Sequence, residues 1–391
     1  MATATRGTAE SVRIYLDHNA TTPLHPEVLE VMTRVLRDCP GNPSSTHLEG
    51  SQARAVVEEA RGQVASLLGA EPDEVVFTSG ATEANNTALL GLLRGRPPGH
   101  VLSSAIEHPS VEAPLLALEA AGWRVTRVGV GSAGRVELEE LEAAFEPDTA
   151  LVSLIWANNE TGVIQPIEAV AELAAARGVP VHVDATQRVG KLPVTLRGLP
   201  VDFLSLSAHK LQGPKGTGAL VRRGALEVEA LQAGGPQERG RRGGTENVPG
   251  IAGLGAACAL AERELPERAV ELARLRDRLW EGIQAKIPRV ERNGCPEQVL
   301  PNTLNVRFDG VAGELLLQAL DLEGVAASSG AACHSGSIEP SAVLSAMGLS
   351  PQQARASLRF STGHGSDDAQ VDAVLALLPD LVQRCRDAGD V

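Results

Sequence analysis

Residues 179–210 read "VPVHVDATQRVGKLPVTLRGLPVDFLSLSAHK". Two apolar runs, VPVHVDA and VDFLSLSAH, stand 15 residues apart between Ala185 and Val201. Both are near-continuous in apolar residues, not alternating, which marks strands buried on both faces. Each ends on a group that an apolar strand does not need. The first ends at Asp184, with Gln187 three residues on; the second runs through Ser207 and His209 into Lys210. In a sheet of this kind, ligands bind beyond the carboxyl ends of the strands.

The same pattern continues in both directions. EVVFTSG, HVLSSAIEH, WRVTRVGV, ALVSLIWAN and TGALVRR read as further strands. TEANNTALLGLLR, the stretch from Pro109 and IEAVAELAAARG read as helices between them. This alternation predicts an α/β fold, a mostly parallel sheet covered by helices. A long helical pattern follows from Ile251 to about Ile287. Beyond it NTLNVRF and SLRFS read as strands, with helices near Gly313–Leu322 and Asp367–Arg384. The expected division is a large domain over residues 16–260 and a smaller α+β C-terminal domain over 261–391, with 1–15 packed on it.

Composition narrows the function. The 391 residues carry a net charge of −14 and no long basic run, which argues against direct nucleic-acid binding. No apolar run reaches the ~18–20 residues of a membrane span, and the first residues lack an apolar signal core. The five cysteines are scattered and show no metal-ligand spacing, as expected of reduced cytoplasmic thiols. Only four of the 35 basic residues are lysine: Lys191, Lys210, Lys215 and Lys286. Arginine is never deprotonated in practice, whereas a lysine amine can lose its proton and form a Schiff base.

The other strand ends supply complementary chemistry. After VVFTSG, Ala81 and Thr82 open a helix whose N-terminal N–H groups suit a phosphate, although Thr82 could equally be a plain helix cap. HVLSSAIEH ends on His108, which alone would more often be structural. ALVSLIWAN leads to Asn158 and Asn159. His182 shares a strand face with Asp184, but no third metal ligand stands nearby. Pyridoxal phosphate needs this ordered set: a helix start for its phosphate, a lysine for its aldehyde and a carboxylate for its pyridine nitrogen. Near the C-terminus, ASSGAACHSGSIEPS places Cys333 among glycines and serines, a setting for a moving loop.

From "YLDHNATTP" to "RFSTG" the sequence resembles the cysteine desulfurases, pyridoxal-phosphate enzymes of the aspartate-aminotransferase fold type. TSGATEANN, EHPSV, NNETGVIQPI, HVDATQRVGKLP, SAHKLQGPKGTGAL, RGGTENVPGI and SSGAACHSGS carry the likeness, in that order. The resemblance implies that Lys210 carries the cofactor and Asp184 holds its ring nitrogen. Ala81, Thr82, Ser207 and His209 would hold the phosphate, joined by Thr245 from the partner of a homodimer. His108 would lie over the ring and shuttle protons, Asn159 and Gln187 would contact the ring oxygen, and Asn159 would also meet the substrate. Arg359 would clamp the carboxylate of L-cysteine. Cys333 would take the sulfur as a persulfide and deliver it to an acceptor protein, in iron–sulfur cluster assembly or thiolation. The AACHS context together with GTEN is similar to selenocysteine lyases, and Ala208 stands where the family more often has glycine. A non-catalytic scaffold of the same fold would show gaps among these residues, and none is missing.

Overall fold

The computed structural model describes residues 13–329 and 340–389. Its strands, in chain order, are β1 (Ile14–Tyr15), β2 (Val75–Thr78), β3 (His100–Ser104), β4 (Arg124–Val128), β5 (Thr149–Ile155), β6 (Val181–Asp184), β7 (Phe203–Ser207) and β8 (Gly218–Arg222), then β9 (Val290–Arg292), β10 (Thr303–Phe308), β11 (Val325–Ala326) and β12 (Ser357–Ser361). Seven of these form one sheet in the order β2-β8-β7-β6-β5-β3-β4. The strands from β4 to β7 are parallel, while β8 is antiparallel to both of its neighbours. The exception has a local cause. Only ten residues, 208–217, join β7 to β8, and a parallel crossover needs a dozen or more. Every position of β3, β6 and β7 is buried, which is why those segments lack polar alternation.

A second, antiparallel sheet has the order β12-β10-β9, and β1 pairs in parallel with β11. Its core joins Leu304, Val306, Leu358 and Phe360 to Leu378 of the helix Asp368–Gly389, and Leu16 packs into the same cluster. The helix Val248–Lys286 serves both cores. Ile251, Leu254 and Cys258 near its start pack under the large sheet, and Leu275, Leu279 and Ile283 near its end pack in the smaller cluster. Asn247 caps this helix, its side chain accepting from Gly250 N, and Pro249 sits in the first turn, where a missing N–H is harmless.

One buried ion pair ties the loop around Thr245 to the sheet. Arg61 donates to both carboxylate oxygens of Glu238, each at 2.9 Å, and Glu238 also accepts from Phe77 N on β2. The guanidinium lies 4.8 Å from the Phe77 ring. Removing one partner of such a pair strands a buried charge. Glu238→Ala should therefore destabilise the protein by about 3–5 kcal/mol. Denaturant unfolding checks this, and a midpoint equal to the parent's would show that the pair carries no weight.

Candidate active site

The carboxyl ends of β2, β3, β5, β6 and β7 open on one cavity of about 600 Å³. Ala81, Thr82, His108, Asn159, Asp184, Gln187, Ser207, His209, Lys210 and Arg359 all line it. They come from distant parts of the sequence and meet because parallel strands present the same end to the same side. Thr245 is exposed and does not line this cavity. Cys333 lies outside the described residues. Sequence reasoning missed Asn19, Ser110 and Lys215, which also line the wall.

Asp184 both caps a turn and faces the cavity. Its Oδ1 accepts from Thr186 N at 3.0 Å, and its Oδ2 accepts from Asn85 Nδ2 at 2.9 Å. His182, two residues earlier, is fully buried between hydroxyls. Its Nδ1 lies 2.8 Å from Ser153 Oγ and its Nε2 3.1 Å from Ser205 Oγ, so neither ring nitrogen is left for a ligand. Burial pushes its pKa down to about 4. Asn158 is likewise occupied in shaping the turn after β5, accepting from Glu160 N and Thr161 N.

Lys210 is held by the segment that follows β1. Its Nζ donates to Asn19 O at 2.6 Å and Ala20 O at 2.7 Å. A second lysine is tied to the same asparagine. Lys191, 5% exposed, donates to Asn19 Oδ1 at 3.0 Å and to Gln187 Oε1 at 2.5 Å. Because Gln187 Oε1 accepts from Lys191, its Nε2 must donate, and it does so to Asn19 O at 2.9 Å. Burial pushes the Lys191 amine well below its ordinary pKa, and the cations Lys210 and Arg359 push it further. The scarcity of lysine singled this residue out; its role appears only in three dimensions.

At the helix-start end of the cavity, Gly80 precedes Ala81 with φ +152°. A Cβ there would stand 3.7 Å from Ser207 Oγ and fill the gap between the helix start and that hydroxyl. His209 Nδ1 lies 3.1 Å from Thr21 Oγ1, and burial with the nearby Lys210 and Lys215 pushes its pKa down to about 4. His108 caps the helix Pro109–Ala120 through Nδ1. Burial lowers its pKa; Asp184 works against this and Lys210 with it.

Arg359 on β12 is 3% exposed and points into the cavity from the smaller sheet. It donates to Asp17 Oδ1 at 2.6 Å and to Asn159 O at 2.8 Å, while its buried Nε has no partner among the described residues. The chain on either side of residues 330–339 is fixed close by. Ser328 and Arg359 exchange backbone hydrogen bonds, and Ser341 Oγ donates to Glu160 Oε2 at 2.5 Å.

Residues 14–374 match the aminotransferase class-V family. The chain is 46% identical to a cysteine desulfurase of Nostoc sp. over 95% of its own length and 94% of the relative's. It is 44% identical to the cysteine desulfurase IscS of Methanosarcina thermophila, covering 96% of this chain and 94% of that one. Among solved structures, a NifS-like protein superposes with a TM-score of 0.90 at 38% identity, over 95% of this chain and 100% of that one. DndA from Streptomyces lividans superposes with a TM-score of 0.75 at 40% identity, over 88% and 97%. The family is one of pyridoxal-phosphate-dependent enzymes. With its helix-covered sheet, its cavity at the strand ends and relatives matched almost end to end, the chain belongs to the aminotransferase class-V family and stands within it among the cysteine desulfurases.

Proposed function

We propose that this protein converts L-cysteine to L-alanine, using pyridoxal phosphate held by Lys210, and takes the sulfur onto Cys333 as a persulfide. The observation that carries the reading is that ten of the twelve residues expected to serve this chemistry share one cavity. The donor set fits the cofactor. Asp184 is a buried acceptor for a ring N–H, Gly80 keeps a helix start open beside the Ser207 hydroxyl where a phosphate would sit, and Lys210 lines the same cavity. Bound there, the cofactor supplies an electron sink that labilises the bonds at the substrate Cα.

The residues of the chain have separable tasks. Lys210 Nζ holds the cofactor and takes the Cα proton. Gln187, with its amide orientation set by Lys191, and Asn159 contact the ring oxygen. Ala81, Thr82, Ser207 and His209 hold the phosphate, joined in a homodimer by Thr245 of the second copy. Arg359, which lines the cavity, clamps the substrate carboxylate through its guanidinium. His108 offers its ring to the substrate. The Cys333 thiolate then attacks the substrate sulfur. The Cβ–S bond breaks, its electron pair stays on carbon, and that carbon gains a proton as alanine leaves. The persulfide passes to a sulfur-acceptor protein, such as one of iron–sulfur cluster assembly. No described helix is long and apolar enough to cross a membrane. A cytoplasmic location suits reactive thiols.

Three substitutions separate these tasks. Lys210→Arg keeps the charge but not the nucleophilic amine, and should lower turnover by about 10²-fold or more. Borohydride followed by peptide mass spectrometry should find the cofactor on Lys210 in the parent; label on Lys191 or Lys215 would sink the assignment. Arg359→Ala should weaken cysteine binding by about 1.5–3 kcal/mol while leaving cofactor loading intact, as read by spectral titration.

Cys333→Ala should stay yellow and bind cysteine, yet release no alanine and carry no persulfide. Full desulfurase activity in that variant would overturn the mechanism. The AACHS motif also makes selenocysteine the informative second substrate. Selenium leaves more readily than sulfur, so release of alanine and elemental selenium from selenocysteine persisting in Cys333→Ala would mark a selenocysteine lyase.

A further inference from the structure

Behind His108 stands a chain of three polar groups whose hydrogen-bond directions are forced. Asn85 is fully buried, and its Nδ2 lies 2.9 Å from Asp184 Oδ2 and 2.8 Å from Ser110 Oγ. An ionised carboxylate only accepts, so the amide nitrogen, not the oxygen, must face Asp184. That nitrogen only donates, so Ser110 Oγ accepts from it. The single hydrogen of the Ser110 hydroxyl is then left for His108 Nδ1, 2.8 Å away. Ser110 N donates to the same Nδ1 at 3.1 Å. With two donors aimed at it, Nδ1 carries no proton, and the ring's one proton sits on Nε2.

The setting works in the same direction. His108 is the N-cap of the helix Pro109–Ala120, where the helix dipole disfavours a cation. The charged groups sharing its cavity are Asp184, Lys210, Lys215 and Arg359, with His209 also in the wall and Glu107 and Glu112 on its own stretch of chain. Burial and Lys210 both oppose a charged imidazole, and among the described residues Asp184 favours one.

We propose that Ser110 and Asn85 are positioning residues that hold His108 as a neutral imidazole with its proton on Nε2, so that it meets the substrate as a hydrogen-bond donor and not as a base. A neutral histidine of this kind stabilises developing negative charge without taking a proton. The proton accepted from the substrate then falls to Lys210 alone. This rests on the reading of the cavity as a desulfurase site, and it replaces a shuttling His108 with a fixed donor.

The test is a long-range ¹⁵N–¹H spectrum of the holoenzyme with ¹⁵N-labelled histidine, the His108 signals being assigned by their loss in His108→Gln. The expected pattern is a protonated Nε2 and a bare Nδ1, constant between about pH 6 and 8. Ser110→Ala removes one donor from the neutral ring, and the His108 titration should rise by about one pH unit. Ser110→Thr keeps the hydroxyl and should restore the parent titration. A cationic His108 at neutral pH, a proton on Nδ1, or a Ser110→Ala titration that coincides with the parent's would overturn the proposal. The spectrum needs no turnover, so an enzyme that binds cofactor but releases no alanine would sink the desulfurase reading and leave the tautomer result standing.

Discussion

Two lysine amines hang from one asparagine, and the site is organised around that fact. The carbonyl of Asn19 accepts from Lys210 and from Gln187, and its side-chain oxygen accepts from Lys191 and from Asn302 Nδ2. Its amide nitrogen donates to Thr303 Oγ1 and to Asn159 O. A buried amine costs free energy unless its N–H groups find acceptors. Asn19 supplies acceptors for both amines from neutral atoms, its backbone carbonyl and its side-chain amide oxygen. The same residue touches β10 of the smaller sheet and the turn after β5 of the larger one. Lys210 is therefore positioned by both cores at once.

The fold was legible where burial leaves a one-dimensional trace. Strands buried on both faces must be apolar throughout, so a polar residue at the end of such a run stands out, as Asp184 and Lys210 do. Arg359 was legible because it alternates with Leu358 and Phe360 in a strand with one face on a core. The direction of β8 went unread, because its signal lies in the short connection of ten residues, 208–217, and not in the strand's own residues. Asn19, Asn85 and Ser110 were also hidden. In sequence each reads as an ordinary turn or cap residue. The partners of Asn85 and Asn19 lie far along the chain, 99 residues away for Asn85 and Asp184 and 283 for Asn19 and Asn302. No local pattern encodes such a pairing.

The network behind His108 and the cluster around Lys210 share a design. In each, one amide with a forced orientation converts a fixed acceptor into a fixed donor. Asp184 dictates which way Asn85 faces, and Lys191 dictates which way Gln187 faces. Amide side chains suit this use because they carry a donor and an acceptor on one rigid plane. Replacing either amide by a carboxylate would reverse the polarity of one bond and propagate the change to the next group.

The hydrogen bonds that complete this site also bear on how the protein is made. Asn19 N donates to Ser361 Oγ, and Arg359 pairs with Asp17, contacts that each span 342 residues. On a ribosome, the first of these partners emerges long before the second. The large sheet can collapse during synthesis and already holds Asn19 through Gln187 and Lys191, but the segment gains its remaining contacts only once β12 has left the exit tunnel and closed on it. Long-range closure of this kind is slow, because the chain loses its freedom before the contact repays it. A chain truncated before β12 thus lacks Arg359 in the wall and the contacts of Asp17 and Asn19 with it and with Ser361, so the cavity is finished last.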